Sequence, residues 1–164
     1  MPKKNQVVRF KIDKESFGID IGKVHEIVIV PEITRVPDTP DFLEGIINLR
    51  GKIVSVIDLR KRLKFNGSHR DKKNRILVTE INNRVVGLIV DEVSEVLSID
   101  ISSIEPPPEM VNSVGVEYIT GVGKLEDRII LLLDLEKVLN TEEIAGLGSN
   151  GNKEEFMGAA VNNR

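Results

Sequence analysis

Cysteine is missing from this 164-residue chain, which removes disulfides, thiol nucleophiles and thiolate metal sites at once. It also fits a reducing compartment. Histidine is almost missing: His25 and His69 are far apart, and neither has a partner at metal-ligand spacing. His25 reads as a surface residue. Long apolar runs are lacking too. The longest, such as 129–133, fall far short of the roughly 20 residues of a membrane span, so any membrane association is expected to run through a partner. The opening MPKKN leads directly into a strand-like segment, and no cleaved leader is expected. Net charge is low, at −3, which argues against a protein built to coat nucleic acid. The nucleophile elbow, P-loop and dinucleotide fingerprint are all missing. No catalytic residue, cofactor or metal site is expected. An enzyme whose site assembles only on folding remains the alternative from another class.

What is present is a soluble, globular composition with an internal repeat. Apolar residues make up 40% and charged residues 30%, enough for a real core at this length. The segment FLEGIINLRGKIVSVIDLRKRL at 42–63 recurs 76 positions later as YITGVGKLEDRIILLLDLEKVL at 118–139, with seven identities over 22 positions. A second echo at a shift of 69 matches Gly18, Val24, Glu26 and Pro37 with Gly87, Val93, Glu95 and Pro106. One folding unit is used twice.

Short Val- and Ile-rich runs, punctuated by Gly, Pro, Asn and Asp, predict strands near 6–12, 17–21, 30–36, 45–50 and 52–57. Their repeats fall near 75–81, 84–90, 98–105, 118–124 and 128–133. Asn82-Asn83, Arg50-Gly51 and Glu126-Asp127 are expected hairpin tips. Apolar i, i+3 spacing predicts short helical turns at 22–28 and 91–97, with Asp91-Glu92 as a helix start. Asp58 and Asp134 are expected N-caps of short helices at 59–63 and 135–139. The pattern predicts two small antiparallel barrels, with residues 6–65 as the first and 75–140 as the second. The proline run 106–108 is a stiff extended stretch. Residues 141–164 form a tail with a short capped helix at 141–145 followed by a disordered Gly- and Asn-rich end.

Between the halves lies a polar connector, 66–74. The wider stretch 60–75 holds eight Lys/Arg against one acid, Asp71. With Phe65 as its one aromatic it lacks stacking platforms, and it reads as a solvated linker without a nucleic-acid partner. The copies diverge most at Asn48-Leu49-Arg50-Gly51 against Lys124-Leu125-Glu126-Asp127. A cation at a hairpin tip is a poor core device and a good recognition device. Glu26, close by, is the expected partner of Arg50.

Together VHEI at 24–27, EGIINLRGKIVSVIDLR at 44–60, RVVGLIVDEVSEVL at 84–97 and the 118–139 segment resemble the CheW family of bacterial chemotaxis coupling proteins, over about residues 6 to 140. The resemblance implies an all-β fold with short helices, in which two SH3-like five-stranded β-barrels arise from the repeat. It implies a cytoplasmic, non-catalytic adaptor in signalling arrays that joins chemoreceptors to the CheA histidine kinase, a monomer on its own. The receptor's helical hairpin is expected in a groove between the barrels, at Val24, Glu26, Arg50, Ile76 and Val93. The kinase regulatory domain is expected against Ile33, Arg35, Val36 and Phe42. Val24 and Val93 are repeat equivalents and offer two apolar stripes, either as groove or as inter-barrel core. A related regulatory module for another signalling kinase is the alternative.

Overall fold

Eleven strands and two one-turn helices build the described part of the chain in a computed structural model, which describes residues 4–65, 70–109, 118–126 and 128–139. The strands are β1 (Lys4–Ile12), β2 (Glu15–Asp20), β3 (Val24–Ile29), β4 (Leu43–Leu49), β5 (Lys52–Asp58), β6 (Arg75–Ile81), β7 (Arg84–Val90), β8 (Glu92–Asp100), β9 (Ile104–Glu105), β10 (Ile119–Leu125) and β11 (Arg128–Leu133). Helix α1 (Leu59–Arg62) follows β5 and α2 (Leu135–Val138) follows β11. The predicted helix at 141–145, the tail, His69 and Asp127 lie outside the described residues.

Two SH3-like β-barrels result. One contains the order β3-β6-β7-β5-β4 and the other β8-β1-β2-β11-β10-β9. The repeat is visible in this arrangement: at shifts of 69 and 76, β6, β7, β8, β10 and β11 take the places of β1, β2, β3, β4 and β5. The barrels nevertheless do not follow the expected division at 6–65 and 75–140. Barrel one is the contiguous stretch β3–β7, whereas barrel two combines β1 and β2 with β8–β11. Each repeat unit lends its first two strands to the other unit's barrel. The connections explain why. A tight hairpin needs two loop residues. Asp91 alone separates β7 from β8, so β8 cannot fold back on β7 and passes into the other barrel. Between β2 and β3 the 3-10 turn Ile21–Lys23 likewise carries the chain onward. Neither barrel is purely antiparallel, because β5 pairs with β7 and β11 with β2 in parallel.

Three hydrophobic clusters hold the assembly. Ile47, Val54, Val56, Ile76, Val78, Val85 and Ile89 fill barrel one. Val7, Ile99, Ile130 and Leu132 fill barrel two. The most extensive lies in the seam, where Val8, Phe10, Phe17 and Ile19 meet Leu77, Val86, Leu88 and Val90. Strands β1, β6 and β7 therefore bury both faces, and RVVGLIV at 84–90 runs apolar without polar alternation for that reason.

Several local expectations differ from what forms. The segments 22–28 and 91–97 are not helical beyond the turn at 21–23. They are the edge strands β3 and β8, displaced toward the N-terminus of the expected strands at 30–36 and 98–105. Both contain β-branched residues and gain a ladder with β6 and β1 respectively, which outweighs a two-residue helical spacing. Asp91 accordingly links strands instead of starting a helix. The N-caps form as expected: the Asp58 carboxylate accepts from the backbone N–H of Arg60 and Lys61, and that of Asp134 from Glu136. Asn82 and Asn83 turn the β6–β7 hairpin at φ 49° and 66°. Of the connector, residues 66–69 lie outside the described residues, 70–73 are exposed and Asn74 is buried, with Arg70 donating to the Asp58 carboxylate at 3.0 Å.

Candidate functional site

A β-bulge decides where the first of the expected site residues point. In the β3–β6 ladder Val24 pairs with Thr79 and Glu26 with Val78, so His25 is the extra residue. The equivalent bulge in β8 falls at Ser94, between Val93 and Glu95. Val24 packs half-buried against the seam, while Val28 further along packs on the interior of barrel one. Val93 also packs half-buried on the seam. The two repeat-equivalent valines are thus neither fully core nor free: they rim the apolar seam from its two edge strands.

Glu26 faces the mouth of barrel one and meets Arg50 there. One guanidinium nitrogen of Arg50 donates to Oε1 at 2.9 Å and the other donates to Oε2, a fork-to-fork pair. The β4–β5 hairpin presents this arginine in a left-handed turn, with Arg50 at φ 53° and Gly51 at φ 90°. The Gly51 N–H donates to the Asn48 side chain at 2.7 Å, which fixes the tip. Hydrogen bonding from Arg50 holds the Glu26 carboxyl below its usual range, and Glu26 in turn raises the Arg50 guanidinium.

A carboxyl depressed in the folded state stabilises above its unfolded value and loses that contribution as pH falls through the folded one. The bridge is therefore complete at neutral pH and opens only below the ordinary glutamate value of 4.5. Carbon-13 titration of the Glu26 carboxyl should give a midpoint below that value, and Arg50→Ala should move it back up. A midpoint unchanged by Arg50→Ala would contradict the pairing.

Around the bridge, Leu49, Val54, Val78 and Val85 floor a cleft of about 210 Å³, with His25 and Lys52 on its rim. His25 Nε2 lies 3.1 Å from Glu80 Oε1. Sequence reasoning passed over Lys52 and left His25 as a plain surface residue. Lys52 matches Arg128 in the second copy, another cation, so the comparison of copies gave no signal there. No sequence signal joined His25 to Glu80, because the pairing needs the β3–β6 ladder.

In the second copy the same site is dissolved. Glu95 replaces Glu26, but the hairpin tip carries Glu126, and Glu95 pairs instead with Arg9 at 3.3 Å. The cleft with its bridge thus belongs to barrel one.

Ile76 is a correction. It is 0% exposed inside barrel one and has no surface to offer a partner. Side chains alternate along a strand, and in β6 the seam-facing residue is the neighbouring Leu77. The expected kinase segment runs along the outer edge of β4. Thr34 and Ile46 exchange backbone hydrogen bonds at 2.9 and 2.8 Å. Ile33 packs half-buried on barrel one, Arg35 is exposed, and Val36 is half-buried. Phe42 packs on the seam with the Arg62 guanidinium 5.4 Å over its ring. Among the described residues no group of carboxylates or histidines is arranged to hold a metal ion, and no helix is long and apolar enough to cross a membrane.

Comparison with known proteins agrees with this architecture. The family model for the CheW-like domain matches residues 6–143. The chain is 44% identical over 136 residues to the chemotaxis protein CheW of Klebsiella aerogenes, covering 83% of this chain and 82% of that one. It is 30% identical over 148 residues to CheW of Treponema pallidum, covering 88% and 87%. The crystal structure of the scaffolding protein TtCheW from Thermoanaerobacter tengcongensis superposes with a TM-score of 0.78 at 42% identity, over 87% of this chain and 92% of that one. With the double barrel, its repeat and these relatives in agreement, the chain belongs to the CheW family of chemotaxis adaptor proteins.

Proposed function

We propose that this adaptor couples chemoreceptors to a CheA-type histidine kinase in the cytoplasm, by binding both and catalysing nothing. The observation that carries the reading is the pairing of an apolar rim with a preset ionic bridge. Val24 and Val93 leave part of the seam cluster open at its edge, and Arg50 with Glu26 stands at the adjoining end of β3. A receptor's helical hairpin supplies an apolar face for the first and polar side chains for the second. The kinase regulatory domain is assigned to the other edge of barrel one, at Ile33, Arg35, Val36 and Phe42. The two partners then bind different surfaces and are held together without competing.

Binding of a receptor cytoplasmic fragment and of the kinase regulatory domain, each titrated separately, tests this. Arg50→Ala should weaken the receptor fragment by roughly tenfold, as removal of an interface arginine commonly does. Kinase affinity should stay within about twofold, and the melting temperature should not move, because the bridge is solvent-exposed. Equal loss toward both partners would refute the division of surfaces. Unchanged receptor affinity would remove Arg50 from the site.

A further inference from the structure

Among the described residues the chain passes between barrels at two places, Ile21–Lys23 and Asp91. Val24 directly follows the first crossover and Val93 comes two residues after the second. Each crossover is gripped by a side chain from a one-turn helix, and the two gripping residues, Arg60 and Glu136, are repeat equivalents. Both sit two positions after a capping aspartate that accepts their backbone N–H at 3.0 Å.

At the second crossover the grip is dense. Arg60, 9% exposed, donates from Nη1 to Asp91 Oδ2 at 2.7 Å and from Nη2 to Asp13 Oδ1 at 3.0 Å. The same Asp91 oxygen accepts the Asp13 backbone N–H at 2.6 Å. Asp91 donates its own N–H to the Lys11 carbonyl at 3.0 Å and accepts from Asn74 Nδ2 at 3.0 Å. At the first crossover Lys23 Nζ donates to Glu136 Oε1 at 3.0 Å. Hydrogen bonding to Lys23 holds Glu136 below the usual carboxylate range.

The charges are inverted between the copies. In one the helix carries the cation and the crossover the anion; in the other the roles exchange. Arg60 beside Lys23, or Glu136 beside Asp91, would repel, so the pattern also encodes which helix serves which crossover.

We propose that Arg60 and Glu136 are positioning residues for the partner groove, each pinning the crossover that carries one of its two valines. This rests on the receptor-groove reading above, and the test separates the two. The first arm uses the free, full-length protein with methyl-labelled valine. Glu136→Gln and Lys23→Met should each shift the Val24 methyl resonances and leave those of Val93 in place. Arg60→Lys and Asp13→Asn should do the reverse. Lys23→Arg, which keeps the ion pair, should preserve the wild-type Val24 position. If an Arg60 variant fails to fold, the exposed Asp13→Asn and the partly exposed Lys23–Glu136 pair still decide the question.

The second arm measures a receptor cytoplasmic fragment. Glu136→Gln should weaken it roughly two- to fivefold, the span of a surface ion pair, with melting unchanged. Val24 methyls unmoved by both Glu136→Gln and Lys23→Met would overturn the proposal, as would shifts spread equally over both valines. A wild-type protein that does not bind the fragment would defeat the receptor reading, while the resonance arm would still decide the positioning role.

Discussion

Gly45→Ala should destabilise the protein by about 3 kcal/mol or more, measured by denaturant or thermal unfolding, since strain and overlap combine there. Gly45 has φ +152°, a conformation rarely adopted by residues with a side chain, and a Cβ there would lie 2.2 Å from the Thr34 carbonyl oxygen. That oxygen is backbone and accepts the Ile46 N–H, so it cannot yield without breaking the bridge that docks residues 33–36 onto β4. The repeat supplies an internal control. At Gly121 no such φ occurs, and the nearest clash, 2.7 Å, is with the Ile104 side-chain methyl Cγ2. Gly121→Ala should cost about 1–2 kcal/mol, the scale of overpacking that side chains can partly absorb. Equal costs at the two glycines would show that the close approach of Thr34 does not decide the matter. Because Gly45 seats the segment assigned to the kinase, any folded Gly45→Ala protein should also bind kinase more weakly than Gly121→Ala.

A second large asymmetry is expected at the capping aspartates. Asp58 is 1% exposed, caps α1 through two backbone N–H groups and receives Arg70 Nη2 at 3.0 Å. Asp58→Ala should therefore cost about 2–3 kcal/mol, a lost buried cap together with one of the two carboxylate partners of Arg70, which keeps Glu44 at 3.0 Å. Asp134 caps α2 through the Glu136 N–H and is partly exposed, so Asp134→Ala should cost only the cap, about 1 kcal/mol. Comparison of the two variants with Arg70→Ala in a double-mutant cycle isolates the added contribution. A cycle without coupling between Asp58 and Arg70 would refute the explanation.

These asymmetries show how a repeat diverges while its frame persists. Bulges at His25 and Ser94, caps at Asp58 and Asp134, and register shifts beside Gly45 and Gly121 all recur. What differs is charge. Arg50 against Glu126 leaves the fork to Glu26 in barrel one alone, and Glu95 turns to Arg9. The bridge lies where the second copy carries Glu126 in place of a cation, which is why comparison of the copies points to Arg50.

The sequence by itself determined most strands, the hairpin tips, both caps, the Arg50–Glu26 pair and the family. Each is a local pattern or a direct comparison of copies, legible because alternation, turn residues and opposite charges act over short stretches. Only the tertiary structure decided which copy supplies each barrel's strands. Two repeat units give the same local environments whether they pair within or between themselves, and the single residue between β7 and β8 settles it. Tertiary structure also turned 22–28 into an edge strand, since the ladder with β6 outweighs local helical spacing. It removed Ile76 from the surface, because the seam and the interior of barrel one take alternate residues of β6 and both look apolar in sequence. Burial on two faces leaves no polar alternation to read, and the direction in which a side chain points then depends on what packs against each side.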